Sequence, residues 1–193
     1  MLSIGVEYKK TSHRNEWIDI IKAVRKVYKG KLIYSANWDE VEQVPFWQHL
    51  DYIGIQAYYP LPLSSKKTPS EVKSAWQKVM ATIEKKLPAK PIVFTEVGYD
   101  LRPDGNMVPW KSLERGQRPD IVLRRSLIEG TLQFLQEYPR SKVVGAFWWK
   151  WMPRKALESP CQLGPGDCDF DMTRVEARTL IQTYWKKHRL GKN

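Results

Sequence analysis

The chain has 193 residues, 42% hydrophobic and 27% charged, which is the composition of a folded chain with a substantial core and excludes a disordered one. Its apolar runs, such as Val143 to Trp149, are far too short to span a bilayer, so no membrane role is expected. The net charge of +11 invites a nucleic-acid reading, but the basic residues are scattered in pairs such as Lys9-Lys10, Lys66-Lys67 and Arg124-Arg125. Such pairs fit solvated faces, and no nucleic-acid partner is expected. Met1 leads straight into Leu2-Ser3-Ile4 without a basic n-region or a cleavage site, and the localisation is left open.

Taken in order, five short apolar runs alternate with stretches of helical spacing. Leu2 to Tyr8 reads as a strand, followed by Trp17, Ile20, Ile21, Val24 and Val27 at helical intervals up to Gly30. Lys31 to Ala36 and Tyr52 to Tyr58 are the next strands. Thr68-Pro69-Ser70-Glu71 then opens a helix carrying Val72, Ala75, Trp76, Val79 and Ile83. Pro91 to Val97 is the fourth strand. Leu123, Leu127, Leu132 and Leu135 mark a helix that Pro139 stops, Val143 to Trp149 is the fifth strand, and Thr173 to His188 a last amphipathic helix. Strands this uniformly apolar and separated by helices predict an α/β domain with a parallel sheet buried on both faces. No phosphate-cradling glycine motif follows any strand.

Cys161 and Cys168 share a loop containing Gly164, Pro165 and Gly166. A disulfide is sterically feasible there, and two free thiols are equally compatible. The three histidines, His13, His49 and His188, are scattered and no CxxC occurs, so no metal site is expected.

In parallel α/β barrels the chemistry stands at the C-terminal strand ends. Here those ends carry Glu7, Asn37-Trp38, Tyr58-Tyr59, Glu96 and Trp148-Trp149. Aromatic faces stack on sugar rings, polar tips bond hydroxyls, and two carboxylates supply the acid/base and nucleophile of glycosidic cleavage. Alternation places Ser3 and Gly5 on the face of Glu7, Ile92 and Phe94 on that of Glu96, and Gly54 and Gln56 on that of Tyr58. It leaves Ile4, Val6, Ile53, Ile55, Val93 and Val97 facing helices. It also allows only one of Trp148 and Trp149 to face inward and turns Tyr59 away from Tyr58 into packing. Trp17, Trp47, Trp76 and Trp185, in helical stretches, are expected in the core. His13 is expected in a solvated loop, and Glu16 to act on the helix dipole.

The ordered motifs Leu2-Ser3-Ile4-Gly5-Val6-Glu7, Tyr34-Ser35-Ala36-Asn37-Trp38-Asp39, Asp51 to Pro60, Pro91 to Tyr99 and Gly145 to Trp151 together resemble strands four to eight of glycoside hydrolase family 113, a clan-A family of retaining β-mannanases and relatives. The late Asp169-Phe170-Asp171 before a helix also resembles that family's C-terminal end. The resemblance implies a partial (β/α)8 TIM barrel, with residues 1–193 as the C-terminal half of its catalytic domain. It implies Glu7 as the acid/base, partly buried beside a second negative charge, and Glu96 as the nucleophile. Tyr58 would hydrogen-bond the nucleophile, Trp149 would floor the subsite of the cleaved sugar, and Asn37 and Trp38 would be subsite residues. No cofactor is implied, and the substrate would be an oligo- or polysaccharide. Many clan-A enzymes carry Asn directly before the acid/base, where this chain has Val6. A complete barrel needs about 250 residues, and strands one to three are missing from the series. The chain is therefore expected to self-associate or to rely on a missing N-terminal half. The alternative is a non-catalytic half-barrel that binds carbohydrate or a protein.

Overall fold

The computed structural model describes residues 1–151 and 170–189. Five strands, β1 (Leu2–Val6), β2 (Leu32–Asn37), β3 (Tyr52–Gln56), β4 (Ile92–Val97) and β5 (Val143–Trp148), form one sheet in the order β1-β2-β3-β4-β5. The registered pairs β1–β2, β2–β3 and β3–β4 are parallel. The helices are α1 (Trp17–Val27), α2 (Pro69–Ile83), α3 (Ile121–Glu137) and α4 (Val175–Arg189). Strand neighbours in sequence are thus neighbours in space, as right-handed strand–helix–strand units require. Cys161 and Cys168 lie outside the described residues.

The described chain divides into two compact units. The first comprises Met1–Tyr58, Val79–Val97 and Tyr138–Phe147 and holds the sheet. The central strands are apolar because both of their faces are covered: Leu32, Ile33, Tyr34, Ala36, Ile53, Ile55, Ile92, Val93 and Phe94 are all buried. Gly54 is needed in β3 because a Cβ there would run into the backbone carbonyl of Tyr34. The sheet ends are different. Leu2 and Val6 on β1, and Val144 and Phe147 on β5, are exposed. The expectation that Val6 faces a helix therefore fails, since a strand at the margin of an open sheet has less to pack against.

Two single-turn helices, Val41–Gln43 and Trp47–His49, link β2 to β3 and bury Val41, Phe46 and Trp47. With Trp17 and Tyr34 they build an aromatic cluster whose ring centroids lie 5.2 to 6.1 Å apart, the range of favourable ring contacts.

The second unit comprises Tyr59–Lys78, Gly98–Glu137 and Trp148–Asn193. The start of α2 is a capping box: Glu71 accepts from the Thr68 N–H at 2.8 Å, and the Thr68 hydroxyl accepts from the Glu71 N–H at 3.3 Å. Trp76 is fully buried, stacks on Phe134, and donates to Thr131 and Tyr99. Tyr59 packs edge-on against Trp76, which matches its expected packing role. Arg124 on α3 is likewise buried. Its guanidinium donates to the Tyr99 and Asp171 carbonyls at 2.8 Å and pairs with Glu176 of α4 at 3.2 Å, so its charge is matched inside the unit. Of the tryptophans expected in the core, Trp17, Trp47 and Trp76 are buried, but Trp185 is 59% exposed. It lies on α4 as its helical spacing predicts, but spacing alone does not say which stripe of an amphipathic helix meets the protein.

Asp51 fastens the entrance of the sheet. Its carboxylate accepts from Arg25 at 2.5 Å, from the Leu32 N–H at 2.8 Å and from Lys31 at 3.2 Å. Burial opposes its ionisation, but these donors prevail and hold the carboxyl at about 2. A carboxylate held below its unfolded value stabilises the fold above that value, and the benefit disappears as pH falls through the folded value. Asp51→Asn should therefore cost roughly 2 kcal/mol at neutral pH. The difference from the parent chain should close as denaturation is followed down towards pH 2, and a gap that persists in acid would contradict this account.

Candidate active site

Each carboxylate singled out in the sequence follows an irregularity in its strand. The β1–β2 register shifts between Ser3 and Val6, just before Glu7. The β3–β4 register pairs Ile55 with Phe94 and then Gln56 with Glu96, passing over Thr95. Such bulges re-aim side chains and are frequent beside active sites. The second one interrupts strict alternation in β4 and sets Glu96 directly opposite Gln56. Asn37 is the partner of Gln56 on the other side, so Asn37, Gln56 and Glu96 form a row across three strand ends.

Glu96 is half-buried and doubly bonded. Tyr58 Oη donates to Oε2 at 2.9 Å and Gln56 Nε2 donates to Oε1 at 2.8 Å. The Glu96 carbonyl accepts from the Ala57 N–H at 2.7 Å, which ties down the chain between these two donors. Gln56 was expected only as a face-mate of Tyr58, and its contact with Glu96 went unread. A lone polar residue at the end of an apolar strand, two places before a site tyrosine, was the available signal. Its amide has one sensible orientation, because turning it over would aim its oxygen at a carboxylate. That choice leaves Gln56 Oε1 buried without a partner among the described residues, a cost that the Glu96 contact outweighs.

Burial raises the Glu96 pKa above the ordinary glutamate value. The Tyr58 and Gln56 bonds pull it back, and the negative charge of Glu7 raises it again. Burial, with Glu96 beside it, likewise raises the Tyr58 phenol, which Glu7 pushes in the same direction. Glu7 thus stands near enough to act on both groups. It is itself exposed, which corrects the expectation of partial burial: β1 has one hydrogen-bonded neighbour strand among the described residues. Its backbone adopts φ of 52°, a left-handed conformation that costs a non-glycine residue roughly 1–3 kcal/mol.

Asn37 and Trp38 are half-buried at the end of β2 and Tyr58 is buried. The first unit therefore gathers Glu7, Asn37, Trp38, Tyr58 and Glu96 at the C-terminal ends of neighbouring strands or just past them. Trp149 belongs to the second unit, where it is 44% exposed and its carbonyl abuts Gly98. Trp148 is buried, as alternation requires of one member of that pair. His13 is exposed in the loop after β1, as expected, and Glu16 stands at the N-cap of α1. Among the described residues no group of three or more His, Cys, Asp or Glu side chains is arranged to hold a metal ion.

Parallel strands in sequential order, with polar residues at their C-terminal ends, make the architecture of a partial (β/α)8 barrel. The chain belongs to Glycoside Hydrolase Family 113, whose model matches residues 1–173. Among solved structures it is similar to a GH113 β-1,4-mannanase, at 22% identity and a TM-score of 0.70, over 95% of this chain and 55% of that one. It is also similar to the GH113 β-mannanase of Alicyclobacillus acidocaldarius, at 22% identity and a TM-score of 0.63, over 95% of this chain and 54% of that one. A β-glucuronidase of Ruminococcus gnavus matches at 14% identity and a TM-score of 0.54, over 87% of this chain and 28% of that one. At these identities the likeness establishes the fold. The chain spans about half the length of the mannanases it matches. No curated protein matches it significantly.

Because the folded-state pKa of Glu96 lies above its ordinary value of 4.5, the unfolded chain releases that proton first as pH rises. The stability linked to Glu96 is therefore complete below the unfolded value and is lost as pH rises through the folded one. Glu96→Gln should remove this loss from the stability profile. Tyr58→Phe deletes a bond that favours the ionised form, so it should move the end of the loss to higher pH. Urea denaturation across mildly acidic to neutral pH would test both, and a downward shift in Tyr58→Phe would contradict the assignment.

Proposed function

We propose that this chain is the half of a retaining β-glycosidase barrel that carries both catalytic carboxylates, with Glu96 as nucleophile, Glu7 as acid/base and a β-mannoside as substrate. The observation that carries this reading is the Glu96 carboxylate, held between Tyr58 Oη and Gln56 Nε2 and subject to the charge of Glu7. Glu96 attacks the anomeric carbon while Glu7 protonates the leaving oxygen. Glu7 then takes a proton from the water that releases the glycosyl-enzyme. The two bonds to Glu96 fix the direction of its attack. Its raised pKa keeps the carboxylate basic, and a basic nucleophile forms a stronger bond to carbon. Asn37 and Trp38 supply polar and aromatic contacts to the sugar. The mannoside assignment follows the family and its solved members.

The exposed edges of β1 and β5 favour a second reading, in which the chain is a binding half-barrel. Leu2, Val6, Val144 and Phe147 are exposed there, and unpaired edges with apolar side chains promote association. On either reading the chain in isolation should self-associate, so light scattering should show species larger than a monomer. A stable, well-folded monomer would contradict this.

Activity separates the readings. In a barrel completed with three N-terminal strand–helix units, Glu96→Gln should abolish turnover of a β-mannoside. Glu7→Gln should slow substrates with poor leaving groups at least ~100-fold while sparing activated aryl mannosides, which need little acid assistance. Product formed with retained configuration supports double displacement. Small and equal effects of both substitutions would favour the binding half-barrel.

A further inference from the structure

Glu7 stands just past an edge strand, is exposed and has a left-handed backbone. A carboxylate so placed keeps one position only if the chain around it is fixed from outside. Two bonds from β2 do this. The Glu7 N–H donates to the Ser35 carbonyl at 3.0 Å, and the Tyr8 N–H donates to Tyr34 Oη at 3.1 Å. The turn closes on itself through the Lys9 N–H and the Glu7 carbonyl at 2.7 Å.

Tyr34 is the unusual member of this set, since a side chain here does what a backbone carbonyl would normally do. Its ring is fully buried, 5.2 Å from Trp17 and 5.2 Å from Phe46, the latter edge-on. The oxygen is therefore carried on a rigid mount. Gly5 leaves the room: a Cβ there would come within 3.0 Å of Tyr34 Cε2 and of Tyr8 Cδ2, and 2.9 Å of Trp17 Cη2. A phenylalanine would pack equally well against Trp17 and Phe46, so packing alone does not account for a hydroxyl at this place.

We infer that Tyr34 is a positioning residue for Glu7: its buried hydroxyl anchors the backbone immediately after the carboxylate and fixes where that carboxylate stands relative to Glu96. The inference rests on the pairing of Glu7 with Glu96 proposed above. It is supported by the influence of the Glu7 charge on Glu96, which depends on how near the carboxylate is held.

The test is the titration of Glu96 in the full chain, followed by NMR of its labelled side-chain carboxyl. Glu7→Gln removes a charge that raises Glu96 and should lower its midpoint. Tyr34→Phe releases Glu7 and should lower the midpoint in the same direction by part of that amount, and adding it to Glu7→Gln should change nothing further. A midpoint unmoved in Tyr34→Phe, with the Glu7→Gln shift present, would overturn the anchor alone. No shift in Glu7→Gln would overturn the carboxylate pairing and the anchor with it. A measurement on the unsubstituted chain guards against a variant that fails to fold. The Tyr8 amide, on a residue 55% exposed, should exchange at least about tenfold more slowly than a free amide, and exchange at the free rate would also overturn the anchor.

Discussion

Glu96 takes a carboxylate partly out of water at the end of an apolar strand, and that desolvation cost dictates what its neighbours must be. A group in that position ionises reluctantly unless donors meet it. Tyr58 and Gln56 meet it from the adjoining strand at 2.9 and 2.8 Å, and they can do so because the β3–β4 register passes over Thr95. The aim of the carboxylate and its donors are thus consequences of one bulge, and the donors offset part of the rise in pKa that burial imposes. Remove that irregularity and Gln56 no longer lies opposite Glu96.

The two carboxylates are held by opposite means. Glu96 is fixed from the side by hydrogen bonds to its own oxygens, at the end of a strand whose apolar residues are buried. Glu7 is fixed through its backbone by a strand whose one aromatic side chain, Tyr34, is locked in a cluster. These means suit the duties proposed for them: a nucleophile needs a constant direction and basicity, whereas an acid/base must keep its oxygens free to meet a leaving group and then a water.

Much of this architecture was legible in the chain. Apolar runs separated by helical spacing gave the parallel order of strands, and Thr68-Pro69-Ser70-Glu71 marked the start of α2. Five motifs in succession pointed to family 113, which the match over residues 1–173 shows. Period-two alternation takes no account of bulges, and the registers shift just before Glu7 and at Glu96; nor had it any means of revealing the Gln56 contact. Tyr34 carried no signal of its own within its apolar run, because a buried aromatic and a buried aromatic with a working hydroxyl read alike in sequence. Val6 and Trp185 were misplaced because a hydrophobic pattern states which residues want cover and not whether cover exists.

The assignment of Glu96 as nucleophile is tested most directly by trapping. A 2-deoxy-2-fluoro mannoside with a good leaving group forms its glycosyl-enzyme faster than water can release it, leaving the sugar on the attacking residue. The account predicts that, in the completed barrel, peptide mass spectrometry finds one added fluoromannosyl group, attached to Glu96. Label on another carboxylate, or turnover with no covalent species under conditions that accumulate it in a retaining mannosidase, would contradict the account.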